Sequence, residues 1–583
     1  MSRSRPLRPE ISRTPEPEPE PEPETETEAL AQTARRALAV GDVPQALALY
    51  ARLLALRPDD GDLLHLLALL HLQRQERRAA LPYLERGLAL RPEAAELWLA
   101  LGVAVQDAGQ PAERVALYRR AVVLAPGALP AWLALTQALL AADRVGDADL
   151  ASRIALTLAP TAPEALAGRG EVLRRSGNRG PAARLLLRAL AGQPAAAEVT
   201  VNLALVLQAE GLRDEAARLL AHVCATAPAD SPVAALAGWN LGLLALERGD
   251  LSTGWQWYEA RFLAPGLHRP PAWTRPVWEA GQPLSPGQRL RIWSEQGLGD
   301  EILFSAAVPP FLAWSARQGV AVSLCCEARL VSLFQRSFPD AAAVTATPAG
   351  MAPAGSAEPV DLNLAAGTLA GRVFARHRAF PATSGWLKAD PERRRQWRKR
   401  LQALGPEPKV GIAWRSSRVA GERGVAYRPL REWRPVLTVS GVRFVNLHHE
   451  PSAPALADQT ESPITLAEWP ESDLRDDLET AAALVAELDL VLCAPTLMGE
   501  LAAALGVPTW RLSLPGDWTT LGAAVRPWYA LQRLFTPQPG EGLTDVLLRM
   551  AEALRELVTA TAATPPHPAT DEPDYGREPQ DAC

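Results

Sequence analysis

Between residues 29 and 260 apolar positions recur at helical spacing in blocks separated by short polar turns, and the blocks themselves recur. Prolines stand at Pro58, Pro92, Pro126, Pro160, Pro194 and Pro228, each 34 residues after the one before. Large and small positions keep step: Trp98, Leu101 and Gly102, then Trp132 and Leu135, then Gly170. Alanine and tyrosine positions such as Ala46, Tyr50, Ala80, Tyr118 and Ala182 fall in the second half of the period, and Gly41, Gly109, Gly177 and Gly211 mark the turn inside it. A seventh unit, displaced by an insertion near Asp230 to Pro232, closes on GWQWYEARF, where Trp255, Tyr258 and Phe262 share one helical face. An aromatic stripe at the end of a repeat array predicts packing against the domain that follows.

From about Arg289 the period changes. Short apolar runs (Leu290 to Trp293, Val320 to Cys326, Val410 to Trp414, Asp489 to Cys493) alternate with amphipathic stretches, which predicts a parallel α/β architecture. In LRIWSEQGLGDEILF a strand runs into a turn opened by Gly297 and Gly299, and a helix begins at Asp300. Such turns bring a ligand to the carboxyl edge of a sheet. Farther on, one strand delivers Arg415, Ser416 and Ser417 to its end, and another ends in Asn446, His448 and His449. A third leads to Ala494, Pro495 and Thr496. Thr496 reads as the N-cap of a helix whose unpaired first amides suit an anion.

Composition narrows the classes. The 583 residues are 48% hydrophobic and 22% charged with a net charge of -6, so they form several ordinary globular domains without broad attraction for nucleic acid. Five scattered cysteines lack a CxxC pair and no HExxH occurs, which predicts free thiols, no metal and a cytoplasmic protein. No signal-like segment or membrane-length apolar run is expected to be present. The opening Pro/Glu segment and the tail from 559 are too polar to fold.

The 34-residue period is that of the tetratricopeptide repeat, whose stacked helix pairs present a groove to polypeptides. Repeats, GWQWYEARF, a Pro/Trp connector and WSEQGLGDEILF together resemble bacterial tetratricopeptide proteins with a carboxy-terminal GT-B glycosyltransferase module, some of which modify flagellin. That module is more distantly similar to the heptosyltransferases and to O-GlcNAc transferase. The resemblance implies an all-α repeat stack followed by two Rossmann-like lobes. The expected segments are a tail at 1–28, repeats at 29–264, a connector at 265–288, a first lobe at 289–390, a linker helix at 391–408, a second lobe at 409–558 and a tail at 559–583.

It also implies site residues. Asp300 occupies the place of the proposed base on the acceptor side, with Gly297, Gly299 and His448 in the cleft. Arg415, Ser416, Arg428, Thr496 and Glu500 stand on the donor side, with Arg423 nearby. Arginine suits a diphosphate through its planar, permanently charged fork. The chain departs from relatives that read S-V-D-T followed by histidine, because Pro495 and Glu500 take the places of the aspartate and histidine. Three functions are consistent with this. The first is metal-independent, cofactor-free sugar transfer from a nucleotide-sugar to serine or threonine of a protein such as flagellin; the second is a non-catalytic scaffold; the third is an envelope-saccharide transferase.

Overall fold

The computed structural model describes residues 23–106, 111–264, 276–279, 281–347, 360–374, 385–416, 426–452, 464–538 and 540–563. Gly109, Ser417, Arg423, Cys583, most of the connector and nearly all of both tails lie outside them. The chain divides into two compact units, 1–176 and 177–583.

Among the described residues the first unit is nine helices, each packed against the next, from Pro23–Ala39 to Pro163–Arg175. Helices Val43–Leu56, Arg77–Leu90, Pro111–Leu124 and Val145–Leu158 begin 34 residues apart, as do Gly61–Gln73, Ala95–Ala104, Leu129–Ala141 and Pro163–Arg175. The phased prolines explain the stops. Each stands two residues beyond the last helical residue, where it has no N–H with which to continue the ladder. Trp98 and Trp132 fasten the next helix to that stop, their indole N–H groups donating to the Pro92 and Pro126 carbonyls at 2.8 Å in both cases. Inside each repeat the helix turn needs a left-handed residue. Gly41 takes it at φ 80°, but the equivalent Gln75 and Asp143 adopt 62° and 58°, a conformation that costs a residue with a Cβ about 1–2 kcal/mol.

The second unit opens with helices Arg179–Gly192, Ala197–Ala209, Arg213–Thr226, Pro232–Glu247 and Leu251–Tyr258, ending in a 3-10 turn, Glu259–Phe262. Gly177, Gly211 and Gly249 hold its left-handed turns. The insertion before Pro232 lengthens the last period without breaking the pairing. Among the described residues nine strands follow in two sheets: β1 (Arg289–Trp293), β2 (Ala321–Cys326), β3 (Ala343–Ala346) and β4 (Leu362–Ala365), then β5 (Lys409–Ala413), β6 (Arg443–Asn446), β7 (Leu490–Cys493), β8 (Thr509–Leu512) and β9 (Gln532–Phe535). Their orders are β3-β2-β1-β4 and β6-β5-β7-β8-β9, and every pair is parallel.

One apolar core joins the terminal repeat to both sheets. Trp255 and Tyr258 are buried in it with Ile292 and Phe304 of the first sheet's side and Val491, Leu501 and Trp528 of the second. The aromatic stripe packs on the following domain, as its position predicts. A second core, with Trp414, Trp433 and Leu547, lies within the second sheet's layer.

Local differences have physical causes. The helix expected to begin at Asp300 starts at Leu298 and comes in three pieces, Leu298–Phe304, the 3-10 turn Ser305–Ala307 and Val308–Arg317, since Pro309 and Pro310 cannot donate to a continuous ladder. The arginines of helix Pro391–Gln402 keep much of their surface in solvent while pairing with neighbouring acids: Arg393 with Asp477 at 2.7 Å, Arg394 and Arg398 with Glu487 at 2.7 and 2.8 Å. Trp397 of the same helix is buried against Trp469.

Candidate functional site

In a parallel α/β sheet the crevice for a ligand opens at the carboxyl edge where successive crossovers leave in opposite directions. The first sheet reverses between β1 and β4, and the second between β5 and β7. The chain places its glycine turn at the first of these points. It places Arg415, Ser416 and the Thr496 helix at the second.

At the first point β1 ends in register with β4, Trp293 opposite Ala365. Ser294 donates its N–H to Cys325 at 2.8 Å, Glu295 turns inward, and Gln296 takes a left-handed φ of 67°. Gly297 is the N-cap of helix Leu298–Phe304, so Asp300 is not a cap; it lies in the first turn, half-buried, where the helix dipole favours a carboxylate. Beside it Glu301 is buried, with one oxygen accepting the Glu327 N–H at 3.0 Å. Burial pushes its carboxyl up to about 7; the Glu327 N–H and Ser294 hydroxyl oppose that rise, while the Glu327 and Asp300 charges add to it. Sequence reasoning passed over Glu301 in favour of its neighbour. The signal available was a carboxylate within an otherwise apolar EILF run.

At the second point Ala494 donates to Ala413 across the sheet at 2.9 Å, which brings Arg415 and Pro495 to one edge. Tyr427 reaches the same place, its hydroxyl donating to the Pro495 carbonyl at 3.0 Å. Thr496 is the N-cap of helix Leu497–Ala504, its hydroxyl accepting the Gly499 N–H at 3.4 Å. Ser416, next to Arg415, is half-exposed. Arg415 pairs with Glu450 and is close enough to His448 to help depress its basicity. His448 is buried and stacks on Trp414 with ring centroids 4.7 Å apart. Burial, then the charges of His449 and Arg415, lower it to about 4, so its ring is neutral; Nδ1 accepts the Glu450 N–H at 3.2 Å, which leaves the ring proton on Nε2. Arg428 pairs with Glu432 at 2.8 Å.

Glu500 is placed otherwise than a donor contact requires. Its side chain is buried, with Arg511 and Arg526 donating to it at 3.0 Å and the Tyr529 hydroxyl donating at 2.5 Å. Asp517 completes the group opposite Arg511 at 3.4 Å, giving one buried and one partly exposed carboxylate for two buried guanidiniums. Burial works to raise both acids, and the arginines outweigh it, lowering Glu500 and holding Asp517 at about 2. Both Glu500 oxygens are therefore engaged by protein groups. Its partners lie 11 to 29 residues away in sequence, beyond the reach of local pattern.

The two points meet. A Cβ on Gly299 would lie 3.6 Å from Glu500 Cγ, so the starts of helices Leu298–Phe304 and Leu497–Ala504 abut. Asp300, Gly297 and Gly299 thus share a junction with Thr496 and Glu500, and Arg415, Ser416 and His448 line the carboxyl edge beside it. No group of three or more His, Cys, Asp or Glu suited to a metal occurs among the described residues, and none of their helices is long and apolar enough to cross a membrane. A cavity of about 500 Å³ lined by Arg398, Glu407, Lys409 and Glu487 opens at the opposite, amino edge of β5, where neither strand ends nor helix amides converge on a ligand.

Residues 28–64 match the tetratricopeptide repeat family model. The chain carries tetratricopeptide repeats, and the 34-residue phasing of its helices extends them well beyond the matched segment. Over 330 residues the chain is 36% identical to Protein FlbA of Caulobacter vibrioides, covering 54% of each, so it spans about half the length of that curated relative. Among solved structures it is similar to a thermophilic tetratricopeptide repeat protein of Thermus thermophilus, with 21% identity, 31% of this chain and 99% of that one covered, and a TM-score of 0.27. It is also similar to a tetratricopeptide repeat protein of Parabacteroides merdae, with 13% identity, 42% and 94% covered, and a TM-score of 0.36.

Proposed function

We propose that this protein is a glycosyltransferase of the GT-B type that moves a sugar from a nucleotide-sugar to serine or threonine hydroxyls of a protein held by the tetratricopeptide repeats, flagellin being the acceptor that the motif resemblance favours. The observation that supports it is the abutment of the two switch points, since transfer needs an acceptor base and a diphosphate cradle within one junction. Asp300 takes the proton of the acceptor hydroxyl as its oxygen bonds to the anomeric carbon. The bond from that carbon to the diphosphate oxygen breaks, and the nucleoside diphosphate leaves with the electron pair. Arg415, Arg428 and the first amides of helix Leu497–Ala504 meet its charge, and Glu500 supports that helix from beneath and does not touch the donor.

The test is a panel of UDP-, GDP- and dTDP-sugars scored by melting shift, followed by intact mass of flagellin incubated with protein and the shifting donor. One sugar increment per modified site is expected, lost in Asp300→Asn and weakened in Arg415→Ala. No shift with any donor would leave the second reading, a repeat scaffold with an inactive α/β module. Favouring that alternative are the pairing of Arg415 and Arg428 with Glu450 and Glu432 and the enclosure of Glu500.

A further inference from the structure

The turn that presents Asp300 is held from outside its own sheet. Arg261, in the last turn of the repeats, donates from Nε to one oxygen of Glu295 at 2.7 Å and from Nη2 to the other at 2.8 Å, and the Gly367 N–H donates to the same carboxylate at 2.7 Å. The two side chains are sealed, 1% and 0% exposed. The guanidinium also lies over the rings of Tyr258 and Phe262, 4.4 and 4.0 Å from their centroids. One residue beyond Glu295, the left-handed Gln296 donates from its side-chain amide to the Tyr258 hydroxyl at 2.6 Å. A left-handed residue with a Cβ is unfavourable by itself, and a buried carboxylate stripped of its arginine is more so. Both residues immediately before Gly297 therefore depend on groups of the terminal repeat.

Adhesion alone does not call for this arrangement. Trp255 already binds the repeat to the module by apolar packing, edge-on to Trp518 and Trp528. A bidentate guanidinium adds direction: its planar fork fixes where the Glu295 carboxylate, and the backbone bearing it, must sit. We propose that Tyr258 and Arg261 are positioning residues for the Ser294–Asp300 turn, so that the last tetratricopeptide repeat sets the backbone on which Gly297 and Asp300 are presented. The inference rests on the reading of that turn as the acceptor side of a transferase site, and its first measurement does not use activity.

The experiment compares full-length wild type, Tyr258→Phe, Gln296→Gly and the double variant by hydrogen exchange. Tyr258→Phe keeps the ring in the core and removes one hydrogen bond, so it should fold. Amides of Gly297–Phe304 are expected to exchange about tenfold faster in Tyr258→Phe while those of β5 and β7 are unchanged. Glycine accepts a positive φ without support, so adding Tyr258→Phe to Gln296→Gly should change exchange in the turn by less than about threefold. Equal acceleration in both sheets, or none in the turn, would overturn the proposal in favour of simple adhesion. Sugar transfer to flagellin by the same proteins separates the two ideas. A loosened turn with no transfer even by wild type removes the transferase reading and leaves the positioning role standing. A loosened turn with wild-type transfer rates shows that the presentation of Asp300 does not depend on Tyr258.

Discussion

Replacing Glu301 by glutamine should make the stability of the variant relative to wild type rise as pH increases from 5 to 8. Glu301 is buried beside Asp300 and Glu327, and its carboxyl is raised from 4.5 to about 7. Because the folded state favours the protonated form, its contribution is fully present below pH 4.5 and is lost as pH rises through 7. One pKa unit corresponds to about 1.4 kcal/mol, so between pH 5 and pH 8 wild type should lose about 2 to 3 kcal/mol that Glu301→Gln keeps. The amide retains an acceptor for the Glu327 N–H, so any constant penalty from its NH2 group cancels in the comparison between the two pH values. Urea unfolding followed by tryptophan emission suits the measurement, since Trp255 and Trp528 lie in the same core as Phe304. A wild-type minus variant difference that stays flat from pH 5 to 8, or that moves the other way, would refute the assignment of Glu301 as a buried, near-neutral acid.

Other outcomes follow from equally local features. Gln75→Gly and Asp143→Gly, which relieve left-handed backbone in the repeat turns, should each stabilise the first unit by about 0.5–1 kcal/mol; a lowered melting temperature for both would contradict the strain argument. Arg526→Met leaves Glu500 buried with fewer partners and should destabilise the second unit by about 3–5 kcal/mol, read by denaturant unfolding. Asp517 is held below its ordinary range at about 2, so its stabilisation is present above pH 3.8 and lost as pH falls toward 2, and Asp517→Asn should flatten the acid limb of the unfolding curve. Removing residues 29–176 should leave the second unit folded by circular dichroism, whereas removing 29–260 takes Trp255 and Tyr258 out of the shared core and should yield aggregating protein.

What the sequence discloses depends on how far apart the interacting residues are. The repeats are legible because Pro58 to Pro228 and the turn glycines act within a few residues, and a fixed period multiplies a weak local signal. β1, β5 and β7 are legible for a related reason, as apolar runs bounded by turn residues. β4 escaped notice since LNLA is four residues long and follows an Ala/Pro-rich stretch that carries no periodicity. The carboxyl-edge placement of Asp300, Arg415 and Thr496 could be anticipated from strand-turn-helix order. The environment of Glu500 could not, because it is made by Arg511, Arg526 and Tyr529 converging from β8 and the loop that precedes β9. Likewise nothing near Glu295 announces Arg261, 34 residues earlier.

The terminal repeat grips both sheets at once. Arg261 reaches the first, and on the other side Gly249 presses its bare backbone against Gly522, where a Cβ would come within 2.7 Å of Gly249 Cα. A splint fastened at both ends resists opening of the hinge it spans, and a bulky side chain at residue 522 would act as a shim that pries that splint loose.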